Sequence, residues 1–442
     1  MNPRKIAVKI LTDAENSQKY VDAILHRYFK NWRGTDREKR FIQEIVFGTV
    51  RWQNKLDFML GYQYQGQYHK AEHQVKALLR SGLYQMLMMD GVPQAVAINE
   101  TVETAKQMGR KNVAGLINGV LRAIKRNEQE INKEILNLGD ARRISVAQSH
   151  PEWLVQRWLS RFGVDNTMKL CLWNNQSQRV TVRVNTHTIG VNEFMEHLIK
   201  ENIVHKQSRL LPEFITLNSA QQVIHSDTFD AAWFAVQDQA AGLAAMLVEP
   251  QKDQIILDCC AAPGGKTTYI AQRYPELPIL AFDKDEERLS KVSDLAHRLG
   301  FDNIQVAPAD AGVFEFPQSD WALLDVPCTG TGVLGRRVDA RWRRSPADIK
   351  QMVQTQQQII QNVARYIKPG GTVVYSTCTL EPEENWGIVD WFLSQNSEFF
   401  VGALPDFIPE EYIDDRGALM VLPHKHQMDG AFGVRLHRES TA

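Results

Sequence analysis

Apolar residues in the first third of the chain recur at three- and four-residue spacing. Tyr20, Val21, Ile24, Leu25, Tyr28 and Phe29 form one stripe, and Phe41, Ile42, Ile45 and Val46 form another. The same period runs through 75–88, 95–108 and 113–124, punctuated by Gly34, Gly61, Gly91, Pro93 and Gly109. This period is that of helices burying one face. No strand-like alternation interrupts it, so residues 1–145 are expected to form an all-α bundle. Ser149, His150 and Pro151 break the pattern, and a Trp-rich amphipathic helix is expected over 152–162. Strands are expected at 180–185 and 213–217 around a helix at 191–201. Residues 146–235 therefore read as a linker helix and a small α+β segment. From 236 short apolar runs alternate with helical stretches: 255–258, 278–283, 304–308, 321–326 and 372–377. Strands alternating with helices imply a mainly parallel, doubly wound, Rossmann-like sheet over 236–442. Ligands of such sheets sit beyond the carboxyl ends of the strands.

Charge sharpens this division. Residues 1–150 hold 24 lysines and arginines against 15 acids, and the remainder holds 27 against 37, although the whole chain carries a net charge of −1. A basic module joined to an acidic one points to a polyanionic partner. No apolar run approaches the ~18 residues of a membrane helix, and the N-terminal residues lack a secretory pattern. The cysteines are Cys171, Cys259, Cys260, Cys328 and Cys378, an odd set with no CxxC pair. That argues against a disulfide framework and against zinc, and His424 with His426 is a lone HxH without further ligands. A reducing, cytoplasmic setting is expected, with no membrane, metal or obligate protein partner.

The loop Asp258-Cys259-Cys260-Ala261-Ala262-Pro263-Gly264-Gly265-Lys266-Thr267 follows the first strand of the C-terminal domain and opens a helix. A phosphate-cradling GxxxxGK[ST] loop needs glycine where Cys260 stands, and the adjacent glycines do not make GxGxxG. The loop therefore favours neither ATP nor NAD. Asp283 ends the second strand, where a carboxylate can accept both hydroxyls of a ribose. Asp310 follows the third and can accept from an adenine amino group. A nucleoside without phosphates suits this arrangement, and S-adenosyl-L-methionine is the expected cofactor.

Asp325-Val326-Pro327-Cys328-Thr329-Gly330-Thr331-Gly332 ends the fourth strand, and Ser376-Thr377-Cys378-Thr379 ends the fifth. Two cysteines at adjacent strand ends are expected to face one cleft, one of them near a carboxylate. Free cysteine is usually a small buried hydrophobe, but such a pair suits ring-carbon methylation. Carbon 5 of cytosine is a weak nucleophile until a thiolate adds to carbon 6. A carboxyl at ring nitrogen 3, for which Asp325 is the candidate, takes up the developing charge. A base then removes the carbon 5 proton, and the target base must be unstacked. Methyltransferases of exocyclic amines carry [DN]PP[FY] where this chain reads DVPC.

The set DCCAAPGGKT, AFDKD, PAD, DVPCTGTG and STCT resembles that of the RNA 5-methylcytosine methyltransferases over about 237–437. The resemblance assigns Cys378 as nucleophile and Cys328 to product release. DNA cytosine methyltransferases use the PC cysteine as nucleophile instead. It further implies cofactor contacts from Cys260, Ala261, Ala262, Pro263, Gly264, Gly265, Lys266, Asp283, Asp310 and Asp325. The segments RFIQEIVFGTVRW, INETVETAKQMG and GLINGVLRAI resemble the NusB fold. The combination is similar to the RsmB (Fmu/Sun) family, whose target is the 16S ribosomal RNA cytosine conventionally numbered 967. Arg336, Arg337, Arg341 and Arg344 around Trp342 suit a phosphate track with a stacking aromatic. A transfer RNA methyltransferase and a catalytically inactive RNA-binding assembly factor remain as alternatives.

Overall fold

The computed structural model describes residues 2–440 apart from 18, 31, 178 and 219–226. The chain divides into two units, one of residues 1–176 with 336–344 and one of 177–335 with 345–442. The segment expected over 146–235 contributes to both units. Its first helix belongs with the bundle, and its strands belong with the large sheet.

The first unit is built from helices α1 (Pro3–Glu15), α2 (Val21–Phe29), α3 (Asp36–Arg51), α4 (Gln53–Gln63), α5 (His73–Met88), α6 (Gln94–Gln107), α7 (Ala114–Leu136), α8 (Asp140–Ala147) and α9 (Glu152–Asn175). Two of their starts are encoded locally. Asn2 caps α1 ahead of Pro3, and Thr35 and Glu38 form a reciprocal capping box on α3. The expected stripes supply the core, in which Ile24, Ile42, Ile45, Leu78, Ile117 and Leu121 are buried. Gly163 in α9 has φ +73, a conformation that favours glycine, and the helix kinks where the expected one ends.

The second unit contains two sheets among the described residues. The smaller is antiparallel, in the order β2 (His205–Gln207), β3 (Phe214–Leu217), β1 (Val180–Val184), β4 (Phe234–Val236). Helix α10 (Val191–Lys200) packs Phe194 and Leu198 against it. The larger is eight-stranded, in the order β10 (Phe399–Gly402), β12 (Ala431–Arg438), β9 (Ile367–Thr377), β8 (Ser319–Asp325), β5 (Ile256–Asp258), β6 (Ile279–Asp283), β7 (Ile304–Pro308), with β11 (Leu419–Val421) also on β12. Strands β9, β8, β5, β6 and β7 are parallel, whereas β12 runs antiparallel. Chain order reverses on either side of β5, so its carboxyl end is a topological switch point. Helices α11 (Gln239–Ala245), α12 (Gly265–Arg273), α13 (Glu286–Leu299), α14 (Pro346–Ala364) and α15 (Trp386–Gln395) complete the unit.

The basic segment expected to track phosphates is largely structural. Arg341 is 1% exposed. Its guanidinium donates to Ser149 O at 3.0 Å, Asn174 O at 3.1 Å and Asn175 Oδ1 at 2.8 Å. Trp342 is partly buried against the helical core and donates Nε1 to Val50 O at 2.7 Å. Val338 is buried in the same core. Asp339 Oδ2 accepts from Val21 N at 2.8 Å and so caps α2, whose own preceding residue, Tyr20, makes no side-chain cap. Arg344 is half-buried with Nη2 3.4 Å from the Tyr20 hydroxyl, while Arg336 and Arg337 are exposed. The expectation fails for Arg341, whose guanidinium is buried and held by helix-end carbonyls that no solvated anion replaces.

Arg341→Ala is expected to cost the helical unit about 3 kcal/mol, because three acceptors, two of them buried backbone carbonyls, lose one charged donor. Urea unfolding followed by circular dichroism measures it, and a loss below about 0.5 kcal/mol would show that the acceptors find other partners.

Candidate active site

Three carboxylates and two thiols gather at the carboxyl ends of β5, β6, β8 and β9. Asp258 ends β5 and is buried, with Oδ2 accepting from the Thr267 hydroxyl at 2.7 Å. Burial pushes its carboxyl up to about 7, against the Thr267 hydrogen bond. The loop from Cys259 then turns at Gly264, with φ +101, where a Cβ would lie 3.0 Å from Val292 Cα on α13. Only glycine passes so close to that backbone in this conformation. Asp283 ends β6 and accepts from Ala262 N at 3.2 Å and Asp285 N at 3.0 Å. An ionised carboxylate has about four acceptor positions, so capacity for hydroxyl groups remains. Asp310 is exposed two residues beyond β7, with Oδ1 accepting from Gly312 N at 2.9 Å. Acids around a glycine turn repel a polyphosphate and suit a nucleoside that carries positive charge. The residues present therefore fit S-adenosylmethionine.

Lys266, expected to touch the cofactor, opens α12 and donates Nζ to Asp325 Oδ2 at 2.6 Å. Burial works against its charge, but the Asp325 carboxylate outweighs that and Cys378 adds to it, so the ammonium is held above its ordinary value. Asp325 faces Ser376 across β8 and β9, and the Ser376 hydroxyl lies 3.4 Å from Oδ1. Beyond these strand ends Cys328 Sγ and Cys378 Sγ stand 3.4 Å apart. The hydrogen bond to Cys378, with burial second, pushes the Cys328 thiol well above its ordinary value. The two sulfurs are close enough to share one proton in a hydrogen bond. Burial keeps Cys259 and Cys260 protonated.

The small sheet fixes the helix that carries Lys266. Arg183 on β1 donates Nη2 to Thr268 Oγ1 at 3.0 Å, and its guanidinium carbon sits 4.9 Å from the centre of the Tyr269 ring. Tyr269 in turn donates to Glu213 Oε1 at 2.6 Å. Gln272 Nε2 donates to Val184 O at 3.0 Å.

Known proteins match this architecture along its full length. Residues 245–437 match the model of the 16S rRNA methyltransferase RsmB/F family, 1–126 the NusB family and 150–224 the RsmF/B-like ferredoxin-like domain. The chain is 33% identical to the probable ribosomal RNA small subunit methyltransferase B of Synechocystis over 448 residues, covering 99% of this chain and 100% of that one. It is 32% identical to the Bacillus subtilis protein of the same name, covering 97% of each. The chain belongs to the RsmB family. This RsmB-family enzyme is an S-adenosylmethionine-dependent methyltransferase of small-subunit ribosomal RNA. Its fold is shared by solved structures. One covers 99% of both chains with a TM-score of 0.81 at 23% identity. NSun6 from Pyrococcus horikoshii, solved with SFG, covers 66% of this chain and 99% of its own with a TM-score of 0.60 at 23% identity.

The RsmB-family site also contains residues that sequence reasoning missed. Glu384, Gln356, Thr329 and Thr379 form a buried hydrogen-bonded group beneath the two cysteines. A threonine after each cysteine, in CTGTG and in STCTLEPEE, was the available signal.

Lys266→Met removes a positive charge beside the Cys378 sulfur, and losing a nearby cation raises a thiol's pKa. Iodoacetamide labelling of Cys378, followed by mass spectrometry across pH, should move its midpoint to higher pH. An unmoved midpoint would remove Lys266 from the activation of that thiol.

Proposed function

We propose that this enzyme methylates carbon 5 of a cytosine in 16S ribosomal RNA, the family's target numbered 967, through a covalent bond from Cys378 to carbon 6. The observation that supports this most is the pair of sulfurs 3.4 Å apart beyond two parallel strands, with the Lys266–Asp325 pair next to them. An enzyme working on an exocyclic amine has no use for two thiols there. An inactive assembly factor has no use for a charge pair that favours a thiolate.

The chemistry follows from what each group can do. Lys266 and the hydrogen bond from Cys328 stabilise the Cys378 thiolate, which adds to carbon 6 of an unstacked cytosine. As the carbon–sulfur bond forms, ring nitrogen 3 takes up a proton at the Asp325 carboxyl, supplied through Lys266, and the electron pair moves to carbon 5. Asp283 would hold the ribose and Asp310 the adenine of S-adenosylmethionine. Cys260, Ala261, Ala262, Pro263, Gly264 and Gly265, with Asp325, would line the rest of its site. Bound there, it supplies the electrophilic methyl group that carbon 5 takes. A base then takes the carbon 5 proton, and nitrogen 3 returns its proton to the Asp325–Lys266 pair as the carbon 5–carbon 6 double bond re-forms and Cys378 leaves as thiolate. The Cys328 thiol donates a hydrogen bond to that departing sulfur and so eases release. Arg336, Arg337 and Arg344 serve as phosphate contacts, which give affinity while the cleft reads the base.

Cys378→Ala should reduce methyl transfer by at least about 10⁴-fold and abolish any RNA adduct, as loss of a covalent nucleophile does. Tritium transfer from labelled cofactor to 16S RNA measures it, and wild-type turnover would end the covalent reading. Cys328→Ala should instead accumulate a protein–RNA adduct, seen as a slow band on a denaturing gel. An empty lane would deny Cys328 its part in release.

A further inference from the structure

We propose that Glu384 is a positioning residue that holds the two cysteine turns in register, so that the Cys378 sulfur meets carbon 6 and Cys328 meets the sulfur as it leaves. This rests on the covalent role of Cys378 given above.

Glu384 closes the short helical turn Pro382–Glu384 after the second cysteine and is 0% exposed. Its Oε2 accepts from Thr329 N at 2.9 Å and from Gln356 Nε2 at 3.0 Å. Its Oε1 accepts from the Thr329 hydroxyl, and the Thr379 hydroxyl lies 3.1 Å away. Thr329 is the residue after Cys328, and Thr379 is the residue after Cys378. One carboxylate thus grips the chain immediately past each sulfur. Gln356 extends the grip to the other side of Cys328, because the same amide donates to Pro327 O at 2.9 Å. The two threonine hydroxyls are 2.8 Å apart, and Gly332 N donates to Cys378 O at 3.0 Å. The Glu384 carbonyl is itself fixed by the Tyr375 hydroxyl at 2.7 Å.

A carboxylate is what this junction requires. Both oxygens face donors, and a side-chain amide offers only one acceptor oxygen, so the Thr329 and Thr379 hydroxyls that now donate to Oε1 would have to reorient to accept instead. Pairing of β8 with β9 sets where the two loops leave the sheet, and Glu384 joins the residues that follow Cys328 and Cys378 on them. Reacting atoms must meet at about 3–3.5 Å, and a misplacement of about 1 Å can cost about 100-fold in rate.

The test compares Glu384→Gln, the pair T329V/T379V, which removes both hydroxyls at constant shape, and T329S/T379S, which keeps them. Each is assayed on 16S RNA for kcat and KM, by calorimetry for S-adenosylmethionine affinity, and with RNA containing 5-fluorocytosine for adduct formation. Glu384→Gln and T329V/T379V should lose about 100-fold in kcat and form adduct correspondingly slowly, with KM and cofactor affinity within about twofold of wild type. T329S/T379S should recover to within about threefold of wild type. If Glu384→Gln does not fold, the valine and serine pairs decide. Wild-type kcat in T329V/T379V, or losses in both pairs matched by lost cofactor affinity, would overturn the proposal. Cys378→Ala runs alongside. If it still methylates, the covalent reading itself has failed. If it is inactive while the Glu384 and valine variants turn over normally, only the positioning inference falls.

Discussion

Charge gathered at the buried ends of parallel strands has to be balanced where it stands. Asp258, Asp283 and Asp325 end β5, β6 and β8, and the reactive sulfur follows β9. In a low-dielectric setting such groups either take up protons or find a cation. Asp258 shows the first outcome, with its carboxyl pushed up to about 7. Asp325 shows the second, paired with Lys266 at 2.6 Å. The position of that one ammonium then governs the rest. It depends on the first turn of α12, which depends on the glycine turn before it and on Arg183 and Val184 of the small sheet behind it. The small sheet is thus part of the electrostatics of the site as well as a neighbour in sequence.

Much of this was readable from the sequence because it is local. The glycine loop, the aspartates and both cysteines stand where short apolar runs end, and parallel strands put such ends on one side. The large sheet was half legible. Strand β12 escaped notice because Gly433 and Arg435 interrupt its apolar run. Each has a reason visible only in three dimensions. A Cβ on Gly433 would meet Leu247 Cδ1 at 2.5 Å, and Arg435 donates Nε to Leu247 O at 2.8 Å. Glu384 was illegible for a related cause, since its partners Thr329 and Gln356 come from distant parts of the chain. The run of arginines near 341 misled in the opposite sense. Clustered charge reads as solvated surface, but a buried guanidinium with three carbonyl-type partners looks the same in sequence.

The excursion of residues 336–344 into the helical unit bears on how the protein is made. Chains emerge from the ribosome amino end first, and an N-terminal domain ordinarily folds before the rest is synthesised. Here Val338, Asp339 and Trp342 complete a core begun by Ile10 and Ile24. Until translation has passed most of the second unit, α2 lacks the carboxylate at its amino end and Val50 O lacks its indole donor. The nascent bundle must wait, partly finished, for a piece encoded far downstream. A ribosome-stalled chain ending near residue 176 should therefore hold a looser bundle than the same residues in the finished protein, and a gene split at that point would separate a fold from its last part.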